Sequence, residues 1–210
     1  RDCASCMVTP KMTEVSHNSN ILILSYSEVA NVKGYIGNFE VDIKRHPRFV
    51  DETKCTGCGA CMEACPNKKV PNAFNLTLNT RKAIDIPFAQ AVPKVAAIAE
   101  DYCLHIKAAK NGKEACGFCV KACAACAIDF NQKETMLTEK YGAIIVATGY
   151  NPISLERFDE YAYNQSPDVV SSLEFERLCN ASGPTNGHLL RPSDGKEPKN
   201  IVFVQCVGSR

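Results

Sequence analysis

The sequence predicts an α/β protein that carries a smaller α+β segment in its middle. Three observations support this fold class. Apolar runs and alternating residues predict strands near the start, a dense group of cysteines occupies the centre, and short apolar runs with a helical pattern follow it. We therefore divide the chain into residues 1–50, 51–135 and 136–210.

The first part is predicted to be rich in strands. Apolar residues form a run at 21–24, residues 28–32 show a further strand-like pattern, and residues 39–43 alternate with period two. Gly34 and Gly37 mark the turn between the last two of these strands, because glycine adopts turn conformations that other residues avoid.

Helices and buried strands are predicted in the remaining parts. Apolar residues recur at helical spacing over 88–110, and residues 171–180 show a second helical pattern. The runs 143–147 and 201–204 are short and apolar throughout, which is typical of strands buried on both faces.

Charge and length exclude several functions. The 24 basic and 23 acidic residues are spread along the chain, so we expect neither a nucleic-acid partner nor an anionic membrane surface. The apolar runs are far shorter than the roughly 20 residues that span a bilayer, and we expect a cytoplasmic protein without membrane insertion. Because the chain begins at Arg1 without a signal-peptide pattern and stops after a strand-like run, we expect an internal piece of a longer polypeptide.

Thirteen cysteines are the outstanding feature of the sequence. Nine of them lie between Cys55 and Cys126, and several are separated by only two residues. Small disulfide-rich domains scatter their cysteines through loops, whereas neighbours this close more naturally share a metal. The central part is therefore predicted to bind metal.

The first cysteine motif has the spacing C-x2-C-x2-C-x3-C-P and consists of Cys55, Cys58, Cys61, Cys65 and Pro66. This spacing is typical of ferredoxins with two 4Fe-4S clusters, in which three cysteines bind one cluster and the fourth reaches the other. The small residues at 57, 59 and 60 allow the backbone to curl and to point N–H groups at the sulfurs. Zinc is the competing interpretation, but tetrahedral zinc usually takes separated cysteine pairs.

The second motif has the spacing C-x12-C-x2-C-x3-C, so residues 104–115 stretch its first interval. Its members are Cys103, Cys116, Cys119 and Cys123. By the crossover rule, cluster 1 would be held by Cys55, Cys58, Cys61 and Cys123. Cluster 2 would be held by Cys103, Cys116, Cys119 and Cys65. Cys126 is an alternative ligand in this motif or, more often for such a cysteine, a small buried apolar residue.

The other cysteines give weaker signals. Cys3 and Cys6 form a single C-x2-C, which fits a redox pair, half of a metal site or two packed thiols. Cys179 falls in a helical pattern and is expected in the core. Cys206 follows the last predicted strand and is either a ligand of a further cluster or a buried cysteine.

The end of the run 143–147 carries a moderate flavin signal. It leads into Thr148 and Gly149, and a strand that ends in glycine can bring its backbone close to a dinucleotide. Any buried strand can end in glycine, however, and no G-x-G-x-x-G fingerprint occurs in the chain. A main phosphate loop for a flavin would have to precede Arg1.

The sequence as a whole resembles the family of heterodisulfide reductase A subunits, the flavin subunits of methanogens and of related bacterial complexes. The similarity covers nearly the whole chain and includes stretches more specific than a ferredoxin motif. Among them are Ser25–Val29, Lys54–Pro66, Pro87–Pro93, Gly142–Tyr150, Arg191–Gly195 and Gln205–Arg210.

The resemblance implies a thioredoxin-reductase-like FAD domain, formed by residues 1–50 and 136–210, that is interrupted by a two-cluster bacterial-type ferredoxin domain at 51–135. It implies that Val29 lies near the adenine of FAD. It also implies that Ala147, Thr148 and Gly149 line the FAD, and it favours Cys206 as a ligand of a third cluster. Because the last predicted strand lacks a following glycine-rich loop, direct use of NAD(P)H is not expected.

The function that the resemblance implies is flavin-based electron bifurcation in a multi-subunit complex. The implied partners are other heterodisulfide reductase subunits, a hydrogenase or formate dehydrogenase, and ferredoxin, with a disulfide as the terminal acceptor. No residue of the chain is a convincing catalytic acid, base or nucleophile. Two alternatives stay open: a flavoprotein subunit of a quinone-interacting oxidoreductase complex, and a polyferredoxin relay without flavin.

Overall fold

The computed structural model describes residues 2–113 and 115–209, with side chains from residue 7 onward. These residues form two compact units. The cysteine unit contains residues 7–70 and 80–146, and the C-terminal unit contains 71–79 and 147–209 with the first residues of the chain. The predicted three-part division, in which the two flanks form one domain, stays a prediction.

The helices and strands of the described residues are short. The helices are α1 (Asp2–His17), α2 (Ala60–Ala64), α3 (Leu104–Ala109), α4 (Phe118–Ala122) and α5 (Ser172–Cys179). The strands are β1 (Ser27–Tyr35), β2 (Asn38–Arg45), β3 (Val70–Pro71), β4 (Thr80–Arg81), β5 (Ile84–Asp85), β6 (Ala97–Ile98) and β7 (Thr135–Tyr141). Among them, no helix is both long and apolar enough to cross a membrane.

A three-stranded antiparallel sheet in the order β1-β2-β7 forms one part of the cysteine unit. The strands predicted at 28–32 and 39–43 are confirmed as parts of β1 and β2. Gly34 lies at φ +99° in β1, and a Cβ there would meet the Asn38 carbonyl oxygen at 2.1 Å. The predicted role of this glycine in the turn is therefore confirmed, because a side chain would prevent the close approach of the two strands.

The cysteine-rich segment is inserted between two neighbouring strands of this sheet. β2 and β7 pair directly, from Phe39 opposite Tyr141 to Arg45 opposite Thr135. Residues 46–134 leave the sheet at the end of β2 and return at the start of β7. Both ends of the segment are also tied together, since the Asp51 N–H donates to the Ala127 carbonyl over 2.7 Å.

The inserted segment has its own core, in which apolar side chains surround cysteines. Ile84 of β5 lies opposite Ile98 of β6, and both are 2% exposed. The cluster of buried residues consists of Phe49, Val50, Cys61, Ile84, Ile86, Val95, Ala96, Ile98, Cys103, Ile106, Cys119 and Ala127.

The predicted helix over 88–110 is wrong except at its end. Only α3 is α-helical, a single 3-10 turn covers Glu100–Tyr102, and residues 88–96 are irregular. Pro93 lacks an N–H group and restricts the conformation of the residue before it, so a helix cannot run through this position without a break. The apolar residues that suggested helical spacing instead reach the core from an irregular segment and from β6.

The strands predicted at 21–24, 143–147 and 201–204 are also not formed in the described residues. Their side chains are largely exposed, with Ile145 at 91% and Val202 at 84%. A strand requires a neighbour for its backbone hydrogen bonds, and none of the paired strands of the described residues lies beside these runs.

The C-terminal unit is organised around α5, which confirms the helix predicted over 171–180. Its first turn has a capping box, in which the Ser171 hydroxyl accepts from the Glu174 N–H and the Glu174 carboxylate accepts from the Ser171 N–H. Arg177 donates to the Asn75 side-chain oxygen over 2.9 Å and lies over the Phe74 ring.

Candidate iron-sulfur centres

The first motif forms a tight loop followed by α2. Gly57 and Gly59 have φ values of +67° and +83°, which glycine adopts without strain. At Gly57 a Cβ would also lie 2.5 Å from the Lys94 carbonyl oxygen, so the loop packs closely against that segment. Cys61 lies in α2, and Cys65 is the residue at which the helix ends.

The second motif has a similar arrangement, but twelve residues separate its first cysteine from its second. Cys103 directly precedes α3, Cys119 lies in α4, and Cys123 is the residue at which α4 ends. α2 packs against α4, so the third cysteines of the two motifs, Cys61 and Cys119, lie on helices that are in contact. The segment 104–115, which was predicted to be a loop, is half helical, because α3 occupies its first six residues.

The four cysteines predicted for cluster 1 lie close together. Burial, and after it the negative charge of neighbouring thiolates at Cys55, Cys123 and Cys58, raises the pKa of the Cys61 thiol to about 11. These neighbours are the other three members of the predicted set. Cys123 therefore joins the first motif in space, as the crossover rule requires.

The four cysteines predicted for cluster 2 also lie together. Burial, together with the neighbouring thiolates at Cys103 and Cys116 and, as the smallest effect, Cys61 on the contacting helix α2, raises the pKa of the Cys119 thiol to about 11. Burial likewise raises the pKa of Cys103, and its thiolate neighbours are Cys116 and Cys65. All four cysteines line one cavity, together with Pro66, Asn67, Ala83, Ile84, Ile98, Leu104 and His105.

This chemistry fits an iron-sulfur cluster. Negatively charged thiolates repel one another, and apolar surroundings make each buried charge unfavourable. The iron ions of a cluster would supply the compensating positive charge. Among the described side chains, those of residues 7–113 and 115–209, no three from His, Cys, Asp or Glu converge as ligands of one metal ion. A cubane requires no such convergence, because each of its four irons takes a single thiolate.

Backbone and hydroxyl donors point at two of the sulfurs. The Ala127 N–H donates to Cys123 Sγ over 3.3 Å. The Ala60 N–H and then the Thr56 hydroxyl lower the pKa of the exposed Cys58 thiol, because both donate to the thiolate. Such donors also stabilise cluster sulfurs, and they tune the reduction potential of a bound cluster.

The remaining cysteines lie outside these two groups or outside the described side chains. Cys126 is exposed and in a left-handed turn at φ +49°, so the expectation of a buried apolar residue is wrong there. Cys179 is half-buried in α5, and Cys206 is exposed. The side chains of Cys3 and Cys6 lie outside the described residues.

The residues predicted to contact FAD are solvent-exposed in this structure. Val29 lies in β1 of the cysteine unit and is 62% exposed. Ala147, Thr148 and Gly149 lie in an extended segment of the C-terminal unit, where Gly149 has a φ of +77°. Their contact with a flavin stays a prediction.

Comparisons with known proteins agree with this geometry. The model of the 4Fe-4S binding domain family matches residues 48–68, which contain the first motif. Across 209 residues, all of this chain, the sequence is 49% identical to the iron-sulfur A subunit of the CoB–CoM heterodisulfide reductase of Methanocaldococcus jannaschii. The chain is similar over its whole length to heterodisulfide reductase A subunits. The resemblance predicted from the sequence is thereby confirmed.

Other relatives among the A subunits differ in the electron donors and acceptors in their names. The chain is 47% identical to the A subunit of the H2/formate:CoB–CoM heterodisulfide,ferredoxin reductase of Methanococcus maripaludis. It is 42% identical to the A subunit of the ferredoxin/F420H2-dependent CoB–CoM heterodisulfide reductase of Methanosarcina acetivorans. The chain spans 30% of the length of the first two relatives and 25% of the third.

One residue of the cluster 2 cavity escaped the sequence analysis. His105 lies in α3 and lines the cavity beside Cys103, Cys116 and Cys119. A histidine within a stretched motif carries no distinctive pattern. The one available signal was the long interval between Cys103 and Cys116. Two ligands that far apart in sequence need a further contact to hold them near each other, and a side chain within the interval can provide it.

Proposed function

We propose that this chain binds two 4Fe-4S clusters and serves as an electron-transfer section of a heterodisulfide reductase, within its A subunit. Cluster 1 is held by Cys55, Cys58, Cys61 and Cys123. Cluster 2 is held by Cys103, Cys116, Cys119 and Cys65. The observation that supports this assignment best is the grouping of eight thiols into two sets of four, with one cysteine of each motif exchanged.

The protein residues around the cysteines have defined tasks in this proposal. The thiolates hold the irons, and apolar side chains such as Ile84 and Ile98 exclude water from the cluster 2 cavity. The N–H groups of Ala60 and Ala127 stabilise negative charge on the sulfurs. When bound, the clusters would supply one-electron transfer.

We extend the proposal to a flavin. The full-length protein would bind FAD with Val29 near the adenine and residues 147–149 along the cofactor, and Cys206 would bind a third cluster. The support is the similarity to heterodisulfide reductase A subunits along the entire chain, including the segments on both sides of the cysteine motifs. FAD would allow an electron pair to be separated into single electrons.

The complete protein would act as an oxidoreductase subunit in a cytoplasmic, multi-subunit complex. It would receive electron pairs from a hydrogenase or formate dehydrogenase and deliver electrons to ferredoxin and, through other heterodisulfide reductase subunits, to a disulfide. This part of the proposal rests on the names of relatives, which specify hydrogen, formate, ferredoxin and the CoB–CoM heterodisulfide.

The test is anaerobic purification of the full-length protein with iron, sulfide and flavin quantified together, followed by a redox titration monitored by EPR. Flavin with more than two 4Fe-4S centres supports the whole proposal. Two clusters without flavin would reduce the function to an electron relay, and stoichiometric zinc would refute the cluster assignment. Copurified membrane haem subunits, in place of hydrogenase or formate dehydrogenase, would indicate a quinone-interacting complex.

A further inference from the structure

The second cysteine motif lacks the short spacing that fixes the first two ligands in the first motif. Two residues separate Cys55 from Cys58, whereas twelve separate Cys103 from Cys116. A longer connection leaves its two ends more conformational freedom. An additional contact is therefore needed to hold Cys103 and Cys116 near each other.

α3 supplies part of this restraint. The helix begins directly after Cys103, and the Lys107 N–H donates to the Cys103 carbonyl over 3.0 Å. The chain then turns back at Gly112, where φ is +66°, and the Lys113 N–H donates to the Ala108 carbonyl over 3.0 Å. These bonds order the helix and its turn, but they do not reach Cys116.

His105 makes the connection to Cys116. Its Nδ1 lies 2.9 Å from the Cys116 carbonyl oxygen and 3.2 Å from the Ala115 carbonyl oxygen. Because both partners only accept hydrogen bonds, Nδ1 carries the hydrogen and donates it. The donor is two residues from Cys103, so one side chain links the two cysteines that the insertion separates.

The His105 ring is itself fixed from the other side. It stacks on Phe130 with ring centres 3.9 Å apart and an angle of 20° between the planes. Phe130 packs against the buried core of the cysteine unit. Stacking on an anchored ring limits the rotamers of His105, and the direction of its Nδ1–H bond is therefore restricted.

The backbone of Cys116 requires such support. Its φ of +55° lies in the left-handed region, which is unfavourable for a residue with a side chain. A conformation of this kind persists when neighbouring groups hold it in place. The Nδ1–H bond to the Cys116 carbonyl is a direct contact of that type, at the residue whose sulfur must face the cavity.

We infer that His105 is a positioning residue for cluster 2: its Nδ1–H bond to the Cys116 carbonyl substitutes for the missing short spacing between the first two ligands. The inference rests on the proposed binding of two clusters. It concerns one hydrogen bond, so a side chain that preserves the donor should preserve the cluster.

Two substitutions separate the hydrogen bond from the ring. H105N places an amide donor near the position of Nδ1 but removes the ring, whereas H105F retains a ring that can stack on Phe130 but has no donor. H17F is the matched control, because His17 Nδ1 contacts the Thr13 carbonyl within α1 at 2.8 Å. C116S and C58S provide the reference spectra for damage to cluster 2 and cluster 1.

The measurement uses the full-length protein, purified anaerobically, with iron and sulfide counted per chain and cluster signals recorded by EPR. We expect H105F to lose about four irons and the signal that C116S affects, or to shift its potential, while H105N and H17F match the wild type. Equal behaviour of H105N and H105F, whether both intact or both damaged, would overturn the inference. A wild-type protein without the two clusters would instead refute the proposed function on which it rests.

Discussion

The cysteine-rich segment 46–134 has a buried apolar core, whereas apolar runs outside that segment are exposed, both in the cysteine unit, where Ile145 is 91% exposed, and in the C-terminal unit. In the cysteine unit, residues such as Ile84, Ile98 and Ala96 are almost fully buried around two groups of thiols. In the C-terminal unit, Val202 and Phe203 remain 84% and 67% exposed. A segment built around metal ligands can complete its core over a short length of chain, because the ligands and the apolar residues come from the same segment. An apolar run can form a strand only if another part of the chain, or another chain, lies beside it and pairs with its backbone.

The largest expected effect tests the exchange of cysteines between the two motifs. We expect Cys123→Ser to remove or alter cluster 1, although Cys123 belongs to the second motif, because it lies beside Cys61. EPR of the full-length protein should show the same signal affected as in Cys58→Ser, with about four irons lost.

Cys126→Ser is the control for that substitution, since Cys126 is only three residues away and exposed. It should retain the iron content of the wild type. If Cys126→Ser lost cluster 1 and Cys123→Ser did not, the ligand assignment would have to be reversed.

The second prediction compares a buried and an exposed isoleucine. Ile84→Ala should lower the free energy of unfolding by about 2–5 kcal/mol, because it leaves a cavity in the core. Ile145→Ala should change it by less than about 0.5 kcal/mol in the 210-residue chain, since the side chain is 91% exposed.

Unfolding of the same two variants in the full-length protein sharpens this comparison. A cost of about 2 kcal/mol or more for Ile145→Ala in that setting would indicate that the run 143–147 is buried there. A cost near zero in both settings would argue against its role as a buried strand of an FAD domain.

The third prediction compares two glycines of the first motif. Gly59→Ala should cost about 1–2 kcal/mol, because its φ of +83° disfavours a side chain although the surrounding space is open. Gly57→Ala should cost about 2–4 kcal/mol, since the new Cβ would also meet the Lys94 carbonyl at 2.5 Å. Thermal unfolding of both variants under anaerobic conditions measures the difference, and a cost for Gly57→Ala no greater than that for Gly59→Ala would contradict the close approach to Lys94.

The smallest expected effect lies in the C-terminal unit. Ser171→Ala removes the hydroxyl of the α5 capping box and should cost about 1 kcal/mol. Ser171→Asp, which retains an acceptor at this position, should recover most of the loss in a thermal unfolding experiment. Equal destabilisation by both substitutions would contradict a capping role for Ser171.

The parts of the structure that were predictable from sequence depend on short-range patterns. The proximity of the cysteines of the two motifs follows from their spacing, β1 and β2 from the residue pattern on either side of a glycine turn, and α5 from its helical pattern. Each of these signals is contained within about 20 residues.

The predictions that failed concern elements whose formation depends on a single residue within the pattern or on a neighbour that is distant in sequence. Residues 88–96 have apolar residues at helical spacing, yet Pro93 breaks the backbone pattern that a helix needs. Periodicity also does not reveal whether a run such as 143–147 has a neighbour to pair with. The pairing of β2 with β7 and the contact of His105 with Cys116 join residues far apart in sequence or separated by an irregular interval.

The direct pairing of Arg45 with Thr135 brings the two ends of the cysteine-rich segment side by side on adjacent strands. Because its two ends leave the sheet at paired positions of adjacent strands, a turn of a few residues could replace it without changing the register of β2 and β7. The length of this segment can therefore change while the hydrogen-bond ladder between β2 and β7 stays in register.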